Sequence, residues 1–503
     1  MVWMSSVLRF VPVRRLAAAA VATAAAAVFC SIELTGEAPG RISNPLELRA
    51  KNHTLSLTLH AGITQDGKNS FYFDGQPNAP TLRLSPGDQL KITYINDLPT
   101  EAKENCAITP CMDMTNLHFH GLTVSPNAPQ DDVLNMMAMP GQSLHYTVQI
   151  PKDHPSGLYW YHTHPHGESY RQVLDGMSGA LVIEGIESYV PALTGLPERV
   201  LVVRGRSIEH DPHSADLKQR VELGSDVCGA EPEPADEIFT VNGSVRPQIE
   251  IAPGERQFWR LVNASADRYL DLQLEGQTLE IVAMDGMPIA MHDPNHRTRI
   301  VDHVLLPPAG RLEAIVTGPT AGTPRRLVSR CVDTGPDGDP NPAMVLADTV
   351  SHSLANSPGK AAKSSLKAQF KTLDLTAEEK TPPRFVVTFT EDKKGFYING
   401  EKFAPDAAPM VRANVGIYQH WKIINASREL HPIHIHQVHF LAYAENDKPI
   451  ADPLWLDTVN VPYGGSVDVI MDFTDPVIRG MSVFHCHLLN HEDKGMMAKI
   501  LFQ

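Results

Sequence analysis

The sequence is poor in basic residues, in aromatic residues and in long helical patterns. Its 503 residues contain 43 lysines and arginines against 58 aspartates and glutamates, and the formal net charge is -15. Because nucleic acids and anionic membrane surfaces attract positive charge, this balance argues against both as partners. Aromatic residues make up only 7% of the chain, which also has 40 prolines and 34 glycines. This composition, together with the short Val/Ile/Leu runs between turn residues, favours a mostly β protein over one with long helices.

The longest apolar stretch lies at the N-terminus. Arg9, Arg14 and Arg15 precede a segment rich in alanine, valine and leucine that runs from Leu16 to about Ile32. This layout is typical of an export signal, and the segment barely approaches the roughly 20 residues that span a bilayer. We predict that residues 1–43 form an export signal, or an N-terminal anchor, with a linker. The protein would then be periplasmic or secreted, and only that anchor would contact a membrane.

Cysteines are also few, and two of the six are set apart by position. Cys30 lies in or just after the export segment, and Cys486 is flanked by histidines. The other four are Cys106, Cys111, Cys228 and Cys331. In an oxidising compartment Cys106 can pair with Cys111, and Cys228 with Cys331, although sequence alone leaves the connectivity open.

One sequence pattern occurs three times. It consists of a turn, a second turn that contains glycine, and a strand in which apolar and polar residues alternate. The first copy begins at Phe73-Asp74-Gly75, the second at Val241-Asn242-Gly243 and a looser third at Ile398-Asn399-Gly400. A chain of this length is too long for one hydrophobic core, and each copy opens a block about as long as one β-sandwich. We therefore predict three β-sandwich domains, at residues 44–190, 196–346 and 383–503. Residues 347–382 would form a linker between the second and third domains.

Ten of the 23 histidines lie in four tight clusters, and all four clusters are in the first and third predicted domains. They are His118-Phe119-His120, His162-Thr163-His164, the segment from His431 through His434 to His436, and His485-Cys486-His487 followed by His491. On a strand, residues two apart point to the same face, so each His-x-His pair projects two imidazoles into one space. Imidazole suits copper, zinc and iron, so the four pairs alone leave the metal open.

The fourth cluster indicates the metal. Cys486 lies between two histidines on one strand, so its sulfur points to the opposite face and serves a second site. His431, His491 and Met496 are placed to complete that site. A thiolate, two imidazoles and a long axial thioether define a blue-copper centre. Its distance from the metals held by His485 and His487 would be on the order of 10 Å, given the rise of a strand.

These motifs resemble those of the multicopper oxidases, a family of laccases, ascorbate oxidases, ferroxidases and cuprous oxidases, and the resemblance to the bacterial laccase-like form covers essentially the whole mature chain. It implies an all-β fold of three cupredoxin-like Greek-key β-sandwich domains. It also implies four copper ions per chain, one of type 1, one of type 2 and two of type 3. The type 1 ligands would be His431, Cys486, His491 and Met496. The type 2 ligands would be His118 and His434, and the type 3 ligands would be His120, His162, His164, His436, His485 and His487.

The first and third predicted domains look like duplicates. When the third domain is aligned with the first by a constant sequence offset for each motif, the His-x-His pairs of the two domains coincide. The four type 1 ligands of the third domain then coincide with Thr115, Thr163, Glu168 and Val173 of the first. The first domain would therefore contribute only to the shared cluster, and this cluster would lie between the two domains. The middle domain has no His-x-His pair and would act as a spacer.

The resemblance implies an enzyme that takes electrons singly from a reductant and reduces dioxygen to water. Because that reduction consumes protons, we expect a carboxylate beside the cluster as a relay. Glu492, directly after His491, is the first candidate, and Asp131 or its neighbour Asp132 is the second. The remaining histidines of interest are assigned supporting or surface roles, and they are His145, His166 and His439.

The reductant is the least constrained part of the prediction. We predict a small phenolic or aromatic compound, as for laccases, and a monomeric enzyme. The alternative is a cuprous or ferrous ion in copper homeostasis, because thioethers suit cuprous copper and five methionines lie near the first motif. They are Met112, Met114, Met136, Met137 and Met139, for which core packing is the competing explanation. A non-catalytic copper-binding export protein is a third hypothesis, whereas a two-domain copper nitrite reductase would need neither four His-x-His pairs nor a third domain.

Overall fold

The computed structural model describes residues 40–65, 67–99, 113–207, 237–319, 324–351, 366–371, 373 and 381–503. Within these ranges strands predominate and helices are short, which confirms the predicted all-β fold. The strands form six sheets, which face each other in three pairs along the chain. Each pair encloses its own apolar core.

The first sheet pair spans residues 47–183. Its strands are β1 (Glu47–Arg49), β2 (Thr54–Ile63), β3 (Asn69–Tyr72), β4 (Thr81–Leu84), β5 (Gln89–Asn96), β6 (His118–His120), β7 (Ser143–Gln149), β8 (Gly157–His162) and β9 (Ser178–Ile183). One sheet has the order β1-β4-β9-β8-β6 and the other the order β3-β2-β5-β7. Alternate side chains such as Phe71, Phe119 and Leu181 fill the space between them.

The second sheet pair spans residues 198–350. Its strands are β10 (Glu198–Ser207), β11 (Glu237–Val241), β12 (Gln248–Glu250), β13 (Arg256–Asn263), β14 (Leu270–Leu274), β15 (Leu279–Met284), β16 (Met287–Pro288), β17 (Arg299–Val301), β18 (Val304–Leu306), β19 (Arg311–Thr317), β20 (Arg326–Arg330) and β21 (Met344–Val350). One sheet runs β11-β10-β13-β19-β15-β16, with β17 beside β15, and the other runs β12-β21-β20-β14-β18.

The third sheet pair spans residues 385–502. Its strands are β22 (Phe385–Asp392), β23 (Gly395–Ile398), β24 (Val411–Ala413), β25 (Tyr418–Asn425), β26 (His431–Ile435), β27 (Phe440–Glu445), β28 (Lys448–Leu456), β29 (Thr458–Val461), β30 (Ser466–Asp472), β31 (Gly480–Cys486) and β32 (Met497–Phe502). The sheet orders are β23-β22-β25-β30-β27-β28 and β24-β32-β31-β26-β29. Trp421, Phe389 and Phe484 are fully buried in its core.

The first and third pairs repeat one arrangement around the histidine motifs. In the first, β6 pairs with β8 and places His118 opposite His162. In the third, β26 pairs with β31 and places His434 opposite His485. A short helix follows each motif, α1 (Ser169–Asp175) after β8 and α2 (Leu489–Asp493) after β31, and the two helices pack together. Single-turn 3-10 helices occur at Ile186–Ser188, Pro191–Leu193, Ile289–Met291 and Pro476–Ile478.

The turn that marks each sequence repeat has one geometry in all three sheet pairs. Asp74, Asn242 and Asn399 have φ of 50°, 49° and 50°, and a glycine with positive φ follows each of them. Two consecutive left-handed residues form the tight hairpin turn that Asp-Gly and Asn-Gly favour. The repeat found in the sequence therefore corresponds to a repeated structural element, while the predicted domain boundaries remain predictions.

Some predicted features lie outside the described residues, namely the export segment and the five residues Cys30, Cys106, Cys111, Cys228 and Met112. Cys331 is disulfide-bonded, and its predicted pairing with Cys228 remains a prediction. Over the described part of the chain, no helix is both long enough and apolar enough to cross a membrane.

Candidate metal centre

Eight histidines meet in a buried space between the first and third sheet pairs. They are His118, His120, His162, His164, His434, His436, His485 and His487, and none is more than 2% exposed. Rings from the two pairs interdigitate, since His118 stacks on His436 at 3.7 Å between ring centroids and His120 stacks on His434 at 3.8 Å. The structure therefore brings together all four predicted His-x-His pairs.

Several ring nitrogens in this space approach each other directly. Nε2 of His485 lies 3.3 Å from Nε2 of His164 and 3.2 Å from Nε2 of His436. The first histidine of each pair is placed by strand register, because His118 faces His162 and His434 faces His485 across their sheets. The second follows two residues later on the same face.

Many of these nitrogens are buried without a hydrogen-bond partner, which is costly for a polar group unless a ligand binds it. Within the described structure they are His118 Nε2, His120 Nδ1, His162 Nε2, His434 Nε2, His436 Nδ1 and both ring nitrogens of His487. Burial lowers the pKa of all eight histidines, so the rings are neutral and keep a lone pair. A buried group of neutral imidazoles fits copper ions.

Hydrogen bonds fix which nitrogen of several rings is left free. Nδ1 of His162 donates to the carbonyl of Thr163 at 2.9 Å, and Nδ1 of His485 donates to the carbonyl of Cys486 at 2.9 Å. Nδ1 of His118 lies 3.0 Å from an oxygen of Asp131. Such acceptors set the tautomer of a ligand histidine and aim its other nitrogen at the metal.

A second group of ligand types lies on the other side of β31. Cys486 is fully buried in the core of the third sheet pair, together with Met496. Its Sγ lies 3.5 Å from Nδ1 of His431, which in turn lies 3.3 Å from Nδ1 of His491. The structure therefore places the cysteine sulfur and both predicted imidazoles together, as the alternation of side chains along the strand predicts. Burial raises the pKa of the Cys486 thiol.

The first relay candidate, Glu492, is fully buried in α2. Its Oε2 lies 3.4 Å from Nδ1 of His485, and its Oε1 lies 3.6 Å from Nδ1 of His164 and accepts a hydrogen bond from the Ser169 hydroxyl at 3.2 Å. Burial raises its pKa. Glu492 is therefore in contact with cluster histidines from both sheet pairs.

The second relay candidate, Asp131, is also fully buried and contacts the cluster through His118. The backbone N–H of Phe119 donates to its Oδ1 at 3.0 Å, and the Gln437 side chain donates to its Oδ2 at 2.7 Å. Burial raises the pKa of Asp131 to about 7, and these two donors oppose that shift. Asp132 instead accepts hydrogen bonds from the backbone and side chain of Asn135.

The other singled-out residues differ in their surroundings. His145 is exposed, the ring of His166 packs on Phe403, and His439 is buried 3.6 Å from Asp457. Met136 is buried in the core of the first sheet pair, whereas Met114, Met137 and Met139 are partly buried.

Sequence reasoning missed the side chains that support these histidines from a distance along the chain. They include Asp457, Thr458, Arg311, Asp285, Gln437, Glu391 and Glu429. Glu429 Oε1 lies 3.4 Å from Nε2 of His491, and Glu391 Oε2 lies 3.7 Å from Nε2 of His431. Burial and the adjacent Glu391 carboxyl raise the pKa of Glu429. No local motif marks such residues, because their contacts arise only when the sheets pack.

Three family models, each described as multicopper oxidase, match residues 60–188, 210–348 and 376–503. The chain is 27% identical to "Multicopper oxidase mco" of Staphylococcus haemolyticus over 90% of this chain and 88% of that protein. It is 23% identical to a laccase of Bacillus stratosphericus over 84% of this chain and 89% of that protein.

Solved structures show the same architecture. A multicopper oxidase from Campylobacter jejuni, described as a metallo-oxidase, has a TM-score of 0.68 at 23% identity, over 92% of this chain and 96% of its own. The multicopper oxidase McoA of Aquifex aeolicus has a TM-score of 0.71 at 18% identity, over 93% of this chain and 100% of its own. These similarities confirm the predicted all-β, cupredoxin-like fold.

Proposed function

Since this chain belongs to the multicopper oxidase family, and is therefore a copper-dependent oxidoreductase that uses dioxygen, we propose that it binds four copper ions and oxidises a small reductant. One observation carries the proposal. A single strand, β31, presents Cys486 to a site inside the third sheet pair and His485 to a buried cluster of eight histidines on its other side. When bound, the copper ions would supply one-electron redox chemistry and the reduction of dioxygen to water.

The proposed ligands follow the sequence prediction. Type 1 copper is assigned to His431, Cys486, His491 and Met496, and type 2 copper to His118 and His434. The two type 3 coppers are assigned to His120, His162, His164, His436, His485 and His487. The neutral state of these imidazoles and their unpaired nitrogens support the assignment.

The protein's own residues would connect, seal and protonate the site. Single peptide bonds join Cys486 to His485 and His487, so the chain provides a covalent connection between the two sites. Full burial of the histidines excludes bulk water from the cluster. Glu492 Oε2 has no hydrogen-bond partner in the described structure, which favours a protonated carboxyl group beside His485 and His164. We propose that Glu492 and Asp131 donate protons to the cluster.

For the reductant, the surroundings of His491 favour a small cation. His491 is 6% exposed whereas His431 is fully buried, so electrons would enter at His491. The cavity beside it measures about 20 Å³, room for roughly one water. Its lining includes three acidic residues, Asp267, Asp339 and Glu429, and one basic residue, Arg268, which pairs with Asp267 at 3.9 Å. Carboxylates suit a ferrous ion better than a cuprous ion, which prefers sulfur. These contacts support the metal-ion alternative, with ferrous iron as its substrate.

A phenolic reductant, which is the first prediction from the sequence, is the second candidate here. It is supported by the names of relatives, since those from Bacillus stratosphericus and Haloferax volcanii are called laccases. An aromatic ring does not fit a cavity of about 20 Å³, so a phenol would have to donate electrons from outside this cavity. The two candidates therefore differ in their dependence on Glu429.

The test is oxygen uptake by copper-loaded protein with ferrous iron, cuprous copper and a phenol, for the wild type and for Glu429→Gln. We expect Glu429→Gln to raise KM for ferrous iron at least about tenfold, because a charge-assisted contact is worth about 1.5–3 kcal/mol, and to leave KM for the phenol unchanged. Uptake with the phenol but with neither metal ion would identify the phenol, and not the cation, as the reductant. If none of the three reductants supports sustained uptake, the proposed oxidase is contradicted and the non-catalytic copper-binding protein is favoured.

We also propose that the protein is an exported monomer, periplasmic or secreted, in which residues 1–43 act as signal or anchor. The disulfide at Cys331 supports an oxidising compartment. Cell fractionation with N-terminal sequencing of the purified protein, and its mass by light scattering, would test these proposals. A cytoplasmic protein with an intact N-terminus would contradict export.

A further inference from the structure

Arg311, the first residue of β19, is fully buried beside the histidine cluster although it belongs to the second sheet pair. Its Nη1 lies 2.7 Å from Oδ1 of Asp457, and its Nη2 donates to the other oxygen of the same carboxylate. It also donates to the carbonyls of Ala309 and Leu158 at 3.2 and 3.3 Å. A two-pronged guanidinium–carboxylate pair fixes orientation as well as distance. Arg311 therefore sets the direction in which Asp457 points.

Asp457 contacts histidines of both halves of the cluster, so its orientation affects both halves. It lies just before β29 in the third sheet pair and is fully buried. Its Oδ1 is 3.2 Å from Nε2 of His120, which belongs to the first sheet pair. Its backbone carbonyl accepts a hydrogen bond from Nδ1 of His434 at 2.8 Å. The hydroxyl of Thr458 donates to the same Oδ1 at 3.0 Å.

A second residue of the middle sheet pair holds the backbone of this segment. Oδ2 of Asp285 accepts hydrogen bonds from the backbone N–H groups of Asp457 and Thr458, at 3.3 and 3.4 Å. Oδ1 of Asp285 accepts the backbone N–H of Arg311 at 2.9 Å. The side chain and the backbone of Asp457 are thus both positioned by the second sheet pair.

The contact with Asp457 determines which nitrogen of His120 is free. A carboxylate paired with a guanidinium can only accept hydrogen bonds, so Nε2 of His120 must be the donor. Its Nδ1 then keeps the lone pair, and Nδ1 is the nitrogen that has no hydrogen-bond partner in the described structure. His118, the other member of the pair, has the opposite arrangement, with Nδ1 at Asp131 and Nε2 free.

The space around the ion pair leaves little room for another orientation. Gly121, next to His120, has φ of +84°, and a Cβ atom added there would lie 2.5 Å from Oδ2 of Asp457 and 2.6 Å from Nη2 of Arg311. The backbone of the first sheet pair therefore packs directly on a salt bridge between the second and third. All three sheet pairs meet at this point.

We propose that Arg311 is a positioning residue for the copper cluster, and this inference rests on the function proposed above. Arg311 acts through Asp457 to set the tautomer and orientation of His120. The middle sheet pair then does more than the spacer role predicted from the sequence. It supplies no ligand, yet it determines which nitrogen one ligand presents.

The test compares Arg311→Lys with a matched control, Arg260→Lys, in copper-loaded full-length protein. Lysine keeps the charge but cannot reproduce the two-pronged pairing. Arg260 is also fully buried in the second sheet pair and also pairs with carboxylates, those of Glu198 and Glu313, neither of which accepts a hydrogen bond from a cluster histidine in the described structure. The measurements are copper per chain, the electron paramagnetic resonance spectrum, the visible absorption of the Cys486 site, and kcat and KM for the reductant.

For Arg311→Lys we expect a loss of roughly 10–100-fold in cluster copper affinity or in kcat, as for other residues that orient metal ligands, and an altered paramagnetic spectrum of the cluster. KM and the absorption of the Cys486 site should stay unchanged. Arg260→Lys should show a wild-type spectrum at full copper content, whatever its stability. Wild-type spectra for Arg311→Lys, or an equal spectral change in both variants, would overturn the inference.

Asp457→Asn provides a second variant if Arg311→Lys does not fold. It keeps the shape of the side chain but weakens the pairing with Arg311 and can turn a donor toward His120. The same change of the cluster spectrum is expected, and an unchanged spectrum would overturn the inference. Wild-type protein that binds fewer than four coppers would instead overturn the proposed function on which the inference rests.

Discussion

Gln437 joins the two halves of the histidine cluster and offers a quantitative test of how they are held together. It directly follows His436 and is 1% exposed. Its Nε2 donates to Oδ2 of Asp131 in the first sheet pair at 2.7 Å, and its Oε1 accepts from the hydroxyl of Ser482 in the third. Its φ of 66° is rare for a residue other than glycine, which indicates that these contacts hold a strained backbone.

Gln437→Leu removes both hydrogen bonds while keeping a similar volume. The bond to a carboxylate contributes about 1.5–3 kcal/mol and the bond to the hydroxyl about 1 kcal/mol. The backbone strain of about 1–3 kcal/mol remains, because leucine adopts positive φ no more readily than glutamine. We therefore expect a loss of about 3 kcal/mol in the free energy of unfolding. Ser482→Ala removes only the second bond and should cost about 1 kcal/mol.

Urea denaturation of copper-free protein, followed by tryptophan fluorescence, measures both values without interference from metal binding. The midpoints should fall in the order wild type, Ser482→Ala and Gln437→Leu, with unchanged slopes. Equal stabilities for wild type and Gln437→Leu would refute this account of the contact between the two halves. So would a Ser482→Ala variant less stable than Gln437→Leu.

Three further outcomes are expected. Trp421→Ala, at a fully buried position in the core of the third sheet pair, should lower the free energy of unfolding by about 3–5 kcal/mol, and a loss below about 1 kcal/mol in urea denaturation would contradict the packing described. Removal of copper by a chelator should lower the thermal midpoint, since a ligand at 1,000 times its Kd stabilises by about 4 kcal/mol, and calorimetry showing equal midpoints would count against metal sites in the native fold. Glu492→Gln should lower kcat at least about tenfold while the absorption of the Cys486 site stays the same, and an unchanged kcat in stopped-flow assays would remove Glu492 from the proton relay.

The histidine and cysteine motifs could be found in the sequence because their geometry is local. Cys486 and His485 are adjacent on β31, and the alternation of side chains along a strand is enough to place them on opposite faces. The hairpin turns at Asp74, Asn242 and Asn399 were likewise visible, because each depends on two adjacent residues.

The residues that support the ligands could not be found in this way. Asp457 reaches His120 across 337 positions of the chain, and Arg311 reaches Asp457 across 146. Such contacts depend on how one sheet pair packs on another, which periodicity within a strand does not determine. The carboxyl group of Glu429 lies beside His491 through a contact of the same long-range kind, so the sequence alone does not reveal this feature, which bears on the choice of reductant.

The central claim is that one strand serves two copper sites, and metal analysis of the wild type and of Cys486→Ser, with visible absorption and oxygen uptake on the same samples, tests it most directly. Wild-type protein should hold four coppers per chain and absorb intensely in the visible range. Cys486→Ser should hold three, lose that absorption and consume no oxygen with any reductant. Fewer than four coppers in the wild type, or sustained oxygen uptake by Cys486→Ser, would contradict the account.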